Sequence, residues 1–313
     1  MKPLPTDLDA LAAGGKPALA RCLTALESAP DDPSLVALLE AAWRAPRGVA
    51  LGVTGPPGVG KSSLVSVLVA GLRARGETAA VIAVDPSSRR SGGALLGDRA
   101  RIETDPDDAG VFIRSMAARR RLGGLSDLAF PAVVLLRACF DWVLVETVGV
   151  GQSETEVADC ADLVVLCVQP GSGDGLQFMK AGVMETPDVV LVTKGDLGAP
   201  ARRAVADVRG ALSLGDGSEV AVAMVSAHTG EGVAGALDLI GAGAARPDFH
   251  CGLPARRRRQ GRVWSESRLA ESLGQVGLAA LAPRLDGHGA PFAAVESLLS
   301  RARAAVHQSI KNV

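Results

Sequence analysis

The sequence of 313 residues contains no tyrosine, and aromatic residues make up only 3% of it. Proteins that bind single-stranded nucleic acid stack its bases on aromatic side chains, so this composition argues against that class. The net charge of -1 gives no general attraction to nucleic acid or to an anionic membrane. We therefore expect neither nucleic acid nor a membrane as a partner, and a core built mainly from valine, leucine and alanine.

Cysteine is sparse, and targeting signals are missing. The five cysteines are scattered, with no C-x-x-C pair and no cysteine–histidine spacing typical of a metal site. An odd, dispersed set fits a reducing compartment. The start, MKPLPTD, lacks a basic segment followed by an apolar run, and no apolar stretch reaches the roughly 18 residues of a membrane helix. We therefore expect a cytoplasmic protein without a signal peptide.

The hydrophobic pattern divides the chain into three parts. Residues 1–45 have the spacing of amphipathic helices and predict an N-terminal helical extension. Residues 46–245 contain short apolar runs separated by segments mostly long enough for crossover helices, which predicts an α/β domain with a doubly wound, mostly parallel sheet. Residues 246–313 predict a C-terminal helical arm. The predicted strands are residues 49–54, 79–85, 111–115, 142–147, 163–168, 189–193 and 220–226.

The first predicted strand leads into GPPGVGKSS, which matches the phosphate-binding pattern G-x-x-x-x-G-K-S. Its glycines let backbone N–H groups converge on phosphate oxygens, while Lys61 supplies positive charge and Ser62 offers a hydroxyl to magnesium. A strand before the loop and a helix after it complete the required context. The loop residues predicted to bind nucleotide are Gly55, Pro56, Pro57, Gly58, Val59, Gly60, Lys61, Ser62 and Ser63.

Three acidic residues follow predicted strands or lie in a glycine-rich loop. Glu146 ends an apolar strand and is followed by Gly149, as at the magnesium and γ-phosphate position of P-loop proteins. Asp85 closes the second strand, and Asp98 follows in the loop. Carboxylates beside buried strands are costly unless they are paired or bind metal, so we predict magnesium ligation. Strand-end or helix capping remains the alternative for each.

Five stretches together resemble the methylmalonyl-CoA mutase-associated GTPases, the MeaB/ArgK group of P-loop GTPases. They are GPPGVGKSSL, AVDPSSRRSGGALLGDRARI, FIRSMAARRRLGG, LVETVGVGQSE and PGSGDGLQFMKAGVME. The resemblance implies hydrolysis of GTP to GDP and phosphate. It also implies a chaperone of an adenosylcobalamin-dependent acyl-CoA mutase that gates cofactor loading, protection and release of damaged cofactor. A homodimer formed through the C-terminal arm is implied as well.

The resemblance also assigns roles within the site. It implies that magnesium is held by Ser62, Asp85, Asp98 and Glu146. Segments 85–101 and 146–154 match its two nucleotide-sensing switches, and segment 170–182 matches the switch that couples hydrolysis to the mutase. The residues predicted to act in catalysis or coupling are Lys61, Glu146, Gln152 as the residue that orients water, and Lys180. For Lys180, a solvated helix position is the alternative.

Two stretches fit the loops that read guanine. In VTKGD, Asp196 can accept hydrogen bonds from guanine N1 and N2, an arrangement that adenine cannot match. Lys194 is expected to lie along the base. Thr193 replaces the asparagine that is usual in the family, and its hydroxyl can still tie this loop to the phosphate loop. In VSAHTGEG the predicted guanine-reading residues are Ser226, Ala227 and His228.

Two other functions share parts of this pattern. A metallochaperone GTPase would carry a C-x-C, C-x-x-C or histidine-rich tract, and the sequence has none. A kinase would share the phosphate loop but should prefer ATP, whereas two guanine loops favour GTP. The run of four arginines, residues 256–259, is more typical of a solvated or interface helix face than of a nucleic-acid patch.

Overall fold

The computed structural model describes residues 3–85, 102, 105, 107–117, 128–147, 156–171, 187–213, 220–285 and 290–311. Seven apolar runs within these residues form strands, each at a position where the sequence predicts one. These strands are β1 (Val49–Thr54), β2 (Ala79–Asp85), β3 (Val111–Ala117), β4 (Trp142–Glu146), β5 (Leu163–Val168), β6 (Val189–Val192) and β7 (Ala221–Met224).

The strands form one sheet in the order β3-β2-β4-β1-β5-β6-β7, and every neighbouring pair is parallel. All residues of β4, β5 and β6 are buried, which explains why their sequences show no polar alternation. Since β1 lies between β4 and β5, the loop after β1 emerges near the middle of the carboxyl edge, where such sheets bind ligands. The predicted α/β fold is thus confirmed.

Helices cover both faces of the sheet and form both ends of the described chain. Asp7 caps the first helix by accepting from the amide of Ala10, and Asp32 caps the second by accepting from the amides of Ser34 and Leu35. No described helix is long and apolar enough to cross a membrane. The helices are α1 (Leu8–Ser28), α2 (Pro33–Arg44), α3 (Lys61–Ala74), α4 (Ala129–Arg137), α5 (Ala199–Leu212), α6 (Val233–Ala245), α7 (Pro247–Leu281) and α8 (Pro291–Lys311).

One face of the sheet packs against α1, α2 and α4, and the other packs against α3 and α6. Four rings join the N-terminal helices to α4, α7 and α8. Trp264 and Phe292 lie 4.9 Å apart between ring centroids, and both lie beside Phe130, which also contacts Trp43. The helical ends therefore share a core with the sheet. The division at residues 45 and 245 stays a prediction.

The arginine run of α7 fits the solvated or interface face that the sequence favours, because two of its members, Arg256 and Arg257, donate to Asp162 while the other two are exposed. Arg257 donates to both carboxylate oxygens of Asp162, at 2.9 and 2.7 Å, and to the carbonyl of Gly48. Asp162 is fully buried and also accepts from Arg137, which is 1% exposed, and from the amide of Ala50. This ion cluster joins α4, α7 and the amino ends of β1 and β5.

Burial alone would raise the pKa of Asp162. The hydrogen bond from Arg257 and the positive charges of Arg137 and Arg257 outweigh this effect, so the pKa lies below the ordinary range of an aspartate. The carboxylate is therefore ionised at neutral pH and is the shared counter-ion of two guanidinium groups in the interior. An isolated charge at this place would be strongly destabilising, because water does not reach it.

Replacing Asp162 by asparagine should lower the free energy of unfolding by about 3–5 kcal/mol, since two largely buried guanidinium groups would lose their counter-charge. Urea denaturation of Asp162→Asn against the wild type measures this loss. Asp207→Asn, an exposed position on α5, is the matched control and should change stability by less than about 0.5 kcal/mol. Equal stability of Asp162→Asn and the wild type would contradict the role of the ion cluster.

The same cluster predicts an acid-dependent stability. A folded-state pKa below the unfolded one stabilises the protein above the unfolded pKa, near pH 4 for aspartate, and the stabilisation is lost as pH falls through the folded pKa. The stability gap between wild type and Asp162→Asn should therefore be constant above about pH 5 and narrow below about pH 4. Urea midpoints across this range measure it. A difference in stability between wild type and Asp162→Asn that widens in acid would contradict a lowered pKa for Asp162.

Candidate nucleotide site

The phosphate loop, residues 55–60, lies between β1 and α3, as the sequence predicts. Gly55, Gly58 and Gly60 have φ values of 141°, 75° and 97°, which favour glycine. A Cβ atom at Gly55 would overlap the carbonyl oxygen of Cys167 in β5. The loop therefore needs glycine at Gly55 for space as well as for backbone conformation. It ends at the N-terminus of α3, where backbone N–H groups and the helix dipole favour an anion.

Lys61 is the first residue of α3 and is only 6% exposed. Its ammonium group donates to the carbonyl of Gly55 at 2.7 Å and to that of Pro56 at 3.1 Å. These bonds hold the positive charge inside the curl of the phosphate loop, next to the N-terminus of α3. Both features attract an anion to the same place.

Ser62 and Glu146 come from different elements and meet beside the phosphate loop. The Ser62 hydroxyl donates to Oε1 of Glu146 at 2.6 Å, and Glu146 is 4% exposed at the end of β4. Thr147, the next residue, donates its hydroxyl to that of Thr54 at 3.2 Å. A hydroxyl and a carboxylate are the oxygen donors that magnesium prefers, so this pair fits the predicted ion.

The other predicted members of the metal and catalytic sets are not described at side-chain level. Asp85 is described only as the last backbone position of β2, whose neighbour in the sheet is β4. Asp98, Gln152 and Lys180 lie outside the described residues. Within the described part of the chain, no three histidine, cysteine, aspartate or glutamate side chains form a metal-binding group.

Thr193 ties the loop after β6 to the phosphate loop. Its hydroxyl lies 2.7 Å from the carbonyl of Val59 and 3.1 Å from that of Val168, and its amide donates to Val168 at 2.8 Å. Thr193 is 4% exposed, so this hydroxyl is shielded from water. The tie predicted for a threonine in place of asparagine is therefore present.

Asp196 and Ser226 bring the two predicted guanine loops together. The buried hydroxyl of Ser226 donates to Oδ1 of Asp196 at 2.6 Å, and the amide of Gly195 donates to Val225. The hydrogen bond from Ser226 is the main reason why the pKa of the exposed Asp196 lies below its usual range. His228 is exposed, and its charge would lower the same pKa further. The carboxylate is therefore ionised and can accept hydrogen bonds from a ligand.

The described side chains that the sequence predicts for the site follow one line along the carboxyl edge of the sheet. Glu146 ends β4, the phosphate loop follows β1, Thr193 follows β6, and Ser226 follows β7. Gln169 is not among the residues predicted from the sequence. It follows β5 between these groups and accepts from Lys194 at 2.5 Å. A polar residue directly after a buried strand is the only sequence signal for it.

Comparison with known families agrees with this arrangement. The sequence model described as methylmalonyl Co-A mutase-associated GTPase MeaB matches residues 19–280. The chain belongs to the MeaB family. A protein of Pyrococcus horikoshii named as a GTPase is 43% identical over 199 residues, which cover 63% of this chain and 62% of that protein. The mouse protein "methylmalonic aciduria type A homolog, mitochondrial" is 40% identical over 230 residues, 71% of this chain and 55% of the mouse protein.

Solved structures support the fold of this MeaB-family chain. The structure described as LAO/AO transport system kinase has 27% identity and a TM-score of 0.63, and the match covers 94% of this chain and 95% of that one. The hydrogenase maturation factor HypB from Archaeoglobus fulgidus has 15% identity and a TM-score of 0.50, covering 65% and 94%. The second likeness shows the fold alone. The predicted family and the predicted fold are therefore both confirmed.

Replacing Thr193 by valine should lower the free energy of unfolding by about 1–2 kcal/mol, because the buried carbonyl of Val59 would lose a hydrogen-bond donor while the volume stays nearly the same. Urea unfolding without nucleotide measures the loss. Thr193→Ser is the control, since it keeps the hydroxyl and should retain the tie. A valine variant as stable as the serine variant would mean that the tie does not hold the loop.

Proposed function

We propose that this MeaB-family chain hydrolyses GTP to GDP and phosphate. The observation that carries the proposal is the order of groups along the carboxyl edge of the sheet. The Ser62–Glu146 pair lies on one side of the phosphate loop, and the Thr193–Asp196 loop with Ser226 lies on the other. A nucleotide needs this order, with its phosphates over β1 and its base beyond β6.

Lys61 is the residue proposed to act on the γ-phosphate. The carbonyls of Gly55 and Pro56 hold the Lys61 ammonium group in the loop. Its positive charge is therefore already in place to stabilise the negative charge of a bound phosphate. The N-terminus of α3 adds further positive potential at the same point. Gln152 is proposed to orient the attacking water, as the family resemblance implies.

Ser62 and Glu146 are the described residues that would hold magnesium, and the proposed set is completed by Asp85 and Asp98. Magnesium, when bound, would neutralise charge on the β- and γ-phosphate oxygens. The Ser62 hydroxyl donates to Glu146, which keeps the two side-chain oxygens close together. The carboxylate is also held close to the loop because β4 pairs directly with β1, with Val53 opposite Glu146.

Asp196 is proposed to read guanine. The Ser226 hydroxyl holds its carboxylate at one oxygen, and the ionised group can accept the N1 and N2 hydrogens of guanine. Adenine has no donor at N1, so this arrangement would reject ATP. The backbone near Ala227 is proposed to meet the guanine oxygen, and Lys194 is proposed to lie along the base.

The biological output is proposed to be chaperoning of an adenosylcobalamin-dependent acyl-CoA mutase, including cofactor loading, protection and release of damaged cofactor. The support is the family itself, whose description names an association with methylmalonyl-CoA mutase. Lys180, in the segment 170–182, is proposed to couple hydrolysis to that partner. The C-terminal arm, residues 246–313, is proposed to form a homodimer, and the chain is proposed to act in the cytoplasm.

The first test is phosphate release from GTP, with ATP as the control nucleotide, with and without a cobalamin-dependent acyl-CoA mutase from the same source. We expect slow GTP hydrolysis, acceleration by the mutase and no ATP hydrolysis. Lys61→Ala should reduce GTP turnover by at least about 100-fold, because it removes the fixed charge at the γ-phosphate. GTP turnover that no such mutase changes would refute the mutase as client while keeping the hydrolase.

Replacing Asp196 by asparagine should shift the base preference from guanine to xanthine. The amide presents a donor where the carboxylate presents an acceptor, and the 2-oxo group of xanthine can accept from it. We expect at least about tenfold weaker GDP binding and tighter xanthosine diphosphate binding than in the wild type. If Asp196→Asn keeps the wild-type preference for GDP over xanthosine diphosphate, Asp196 does not read the base.

A kinase is the second candidate, because the similar structure with a TM-score of 0.63 carries that word in its name. A kinase of this fold should prefer ATP and transfer phosphate to an acceptor other than water. The ionised Asp196 favours guanine instead. ATP turnover equal to GTP turnover in the first test would favour the kinase.

A further inference from the structure

Lys194 has a backbone conformation that needs an explanation. Its φ of 56° places it in the left-handed region, and among the described residues no other non-glycine side chain has a positive φ. This region is unfavourable for a residue with a Cβ atom, so such residues are commonest where function holds them in place. Gly195 and Asp196 follow directly, so the unusual turn lies at the start of the guanine loop.

The ammonium group of Lys194 is held by two oxygens from different strand ends. It donates to the carbonyl of Gly58 in the phosphate loop at 3.0 Å and to the side-chain Oε1 of Gln169 at 2.5 Å. The first acceptor is a main-chain atom that any residue provides. The second acceptor is a side-chain oxygen, so a substitution at position 169 can remove it.

The position of Gln169 follows from the strand order. Gln169 is the first residue after β5, and β5 lies between β1, which carries the phosphate loop, and β6, which carries Lys194. Gln169, a half-buried residue, therefore lies between the two loops.

We propose that Gln169 is a positioning residue for the guanine nucleotide: it holds the ammonium group of Lys194 so that the aliphatic part of this side chain lies against the base. This inference rests on the proposed function. Gln169 acts through Lys194 and is not assigned any contact with the base edge, which Asp196 reads. Loss of the Gln169 side chain should weaken the binding of every nucleotide whose base stacks on Lys194, and by the same factor.

The central variant is Gln169→Leu, which keeps the size of the side chain and removes the acceptor. We expect the dissociation constant of GDP to rise about tenfold, the value typical for losing one hydrogen bond to a charged group. The ratio of GDP to inosine diphosphate affinity should stay unchanged, because the two bases differ at the edge and not at the face. The turnover number of the saturated enzyme should also stay unchanged.

Two controls separate positioning from a general loss of structure. Gln169→Glu keeps an oxygen acceptor and should retain most of the affinity for GDP. Gln275→Leu makes the same chemical change at an exposed position of α7, far along the chain from the loops, and should bind GDP like the wild type. Thermal unfolding without nucleotide should give closely similar midpoints for the wild type and the two leucine variants.

A double-mutant cycle with Lys194→Ala gives the decisive result. If Gln169 acts through Lys194, the double variant binds GDP no more weakly than Lys194→Ala alone. Additive losses, or GDP affinity of Gln169→Leu equal to that of the wild type, would overturn the inference while leaving the proposed GTPase intact. A wild-type chain that binds no GDP would instead overturn the proposed function, and the inference with it.

Discussion

The buried carboxylate of Asp162 fixes the frame on which the site depends. It accepts from Arg137 in α4, Arg257 in α7 and the amide of Ala50 in β1, and it lies just before β5. Four parts of the chain that are distant in sequence therefore meet at one pair of oxygens. Because the ion pairs are shielded from water, their geometry is restrictive, and none of these elements can shift without separating buried charges.

This constraint acts at the amino edge of the sheet, opposite the candidate site. With β1 and β5 fixed relative to one another there, the register of the parallel strands determines where their carboxyl ends lie. The phosphate loop and Gln169 then emerge side by side. Gln260, from the same helix as Arg257, donates to the carbonyls of Ala158 and Ala161 and so holds the turn that precedes Asp162. Helix α7 is thereby part of the scaffold of the site.

Much of the fold and part of the site could be predicted from the sequence. Buried parallel strands appear as uninterrupted apolar runs, and the phosphate loop has a glycine pattern with a fixed purpose, so both are local signals. The ion pair of Arg257 with Asp162 could not be predicted, because four consecutive arginines occupy every side of a helix and only the packing determines which of them reach the carboxylate. Gln169 could not be predicted for a related reason. Its contact with Lys194 depends on β5 and β6 being neighbours in the sheet, and the strand order cannot be read from the sequence.

The threonine in the predicted guanine loop shows how a substitution within a motif can keep the hydrogen bond that the motif provides. A loop at this position needs a donor that reaches a carbonyl of the phosphate loop, and the Thr193 hydroxyl reaches Val59 at 2.7 Å. The amide of Thr193 also donates to the carbonyl of Val168, which continues the pairing of β5 with β6 beyond the end of the strand. The next residue, Lys194, ties the same loop to Gly58 and Gln169. The loop after β6 is therefore held by two neighbouring residues, one tied through its hydroxyl and one through its ammonium group.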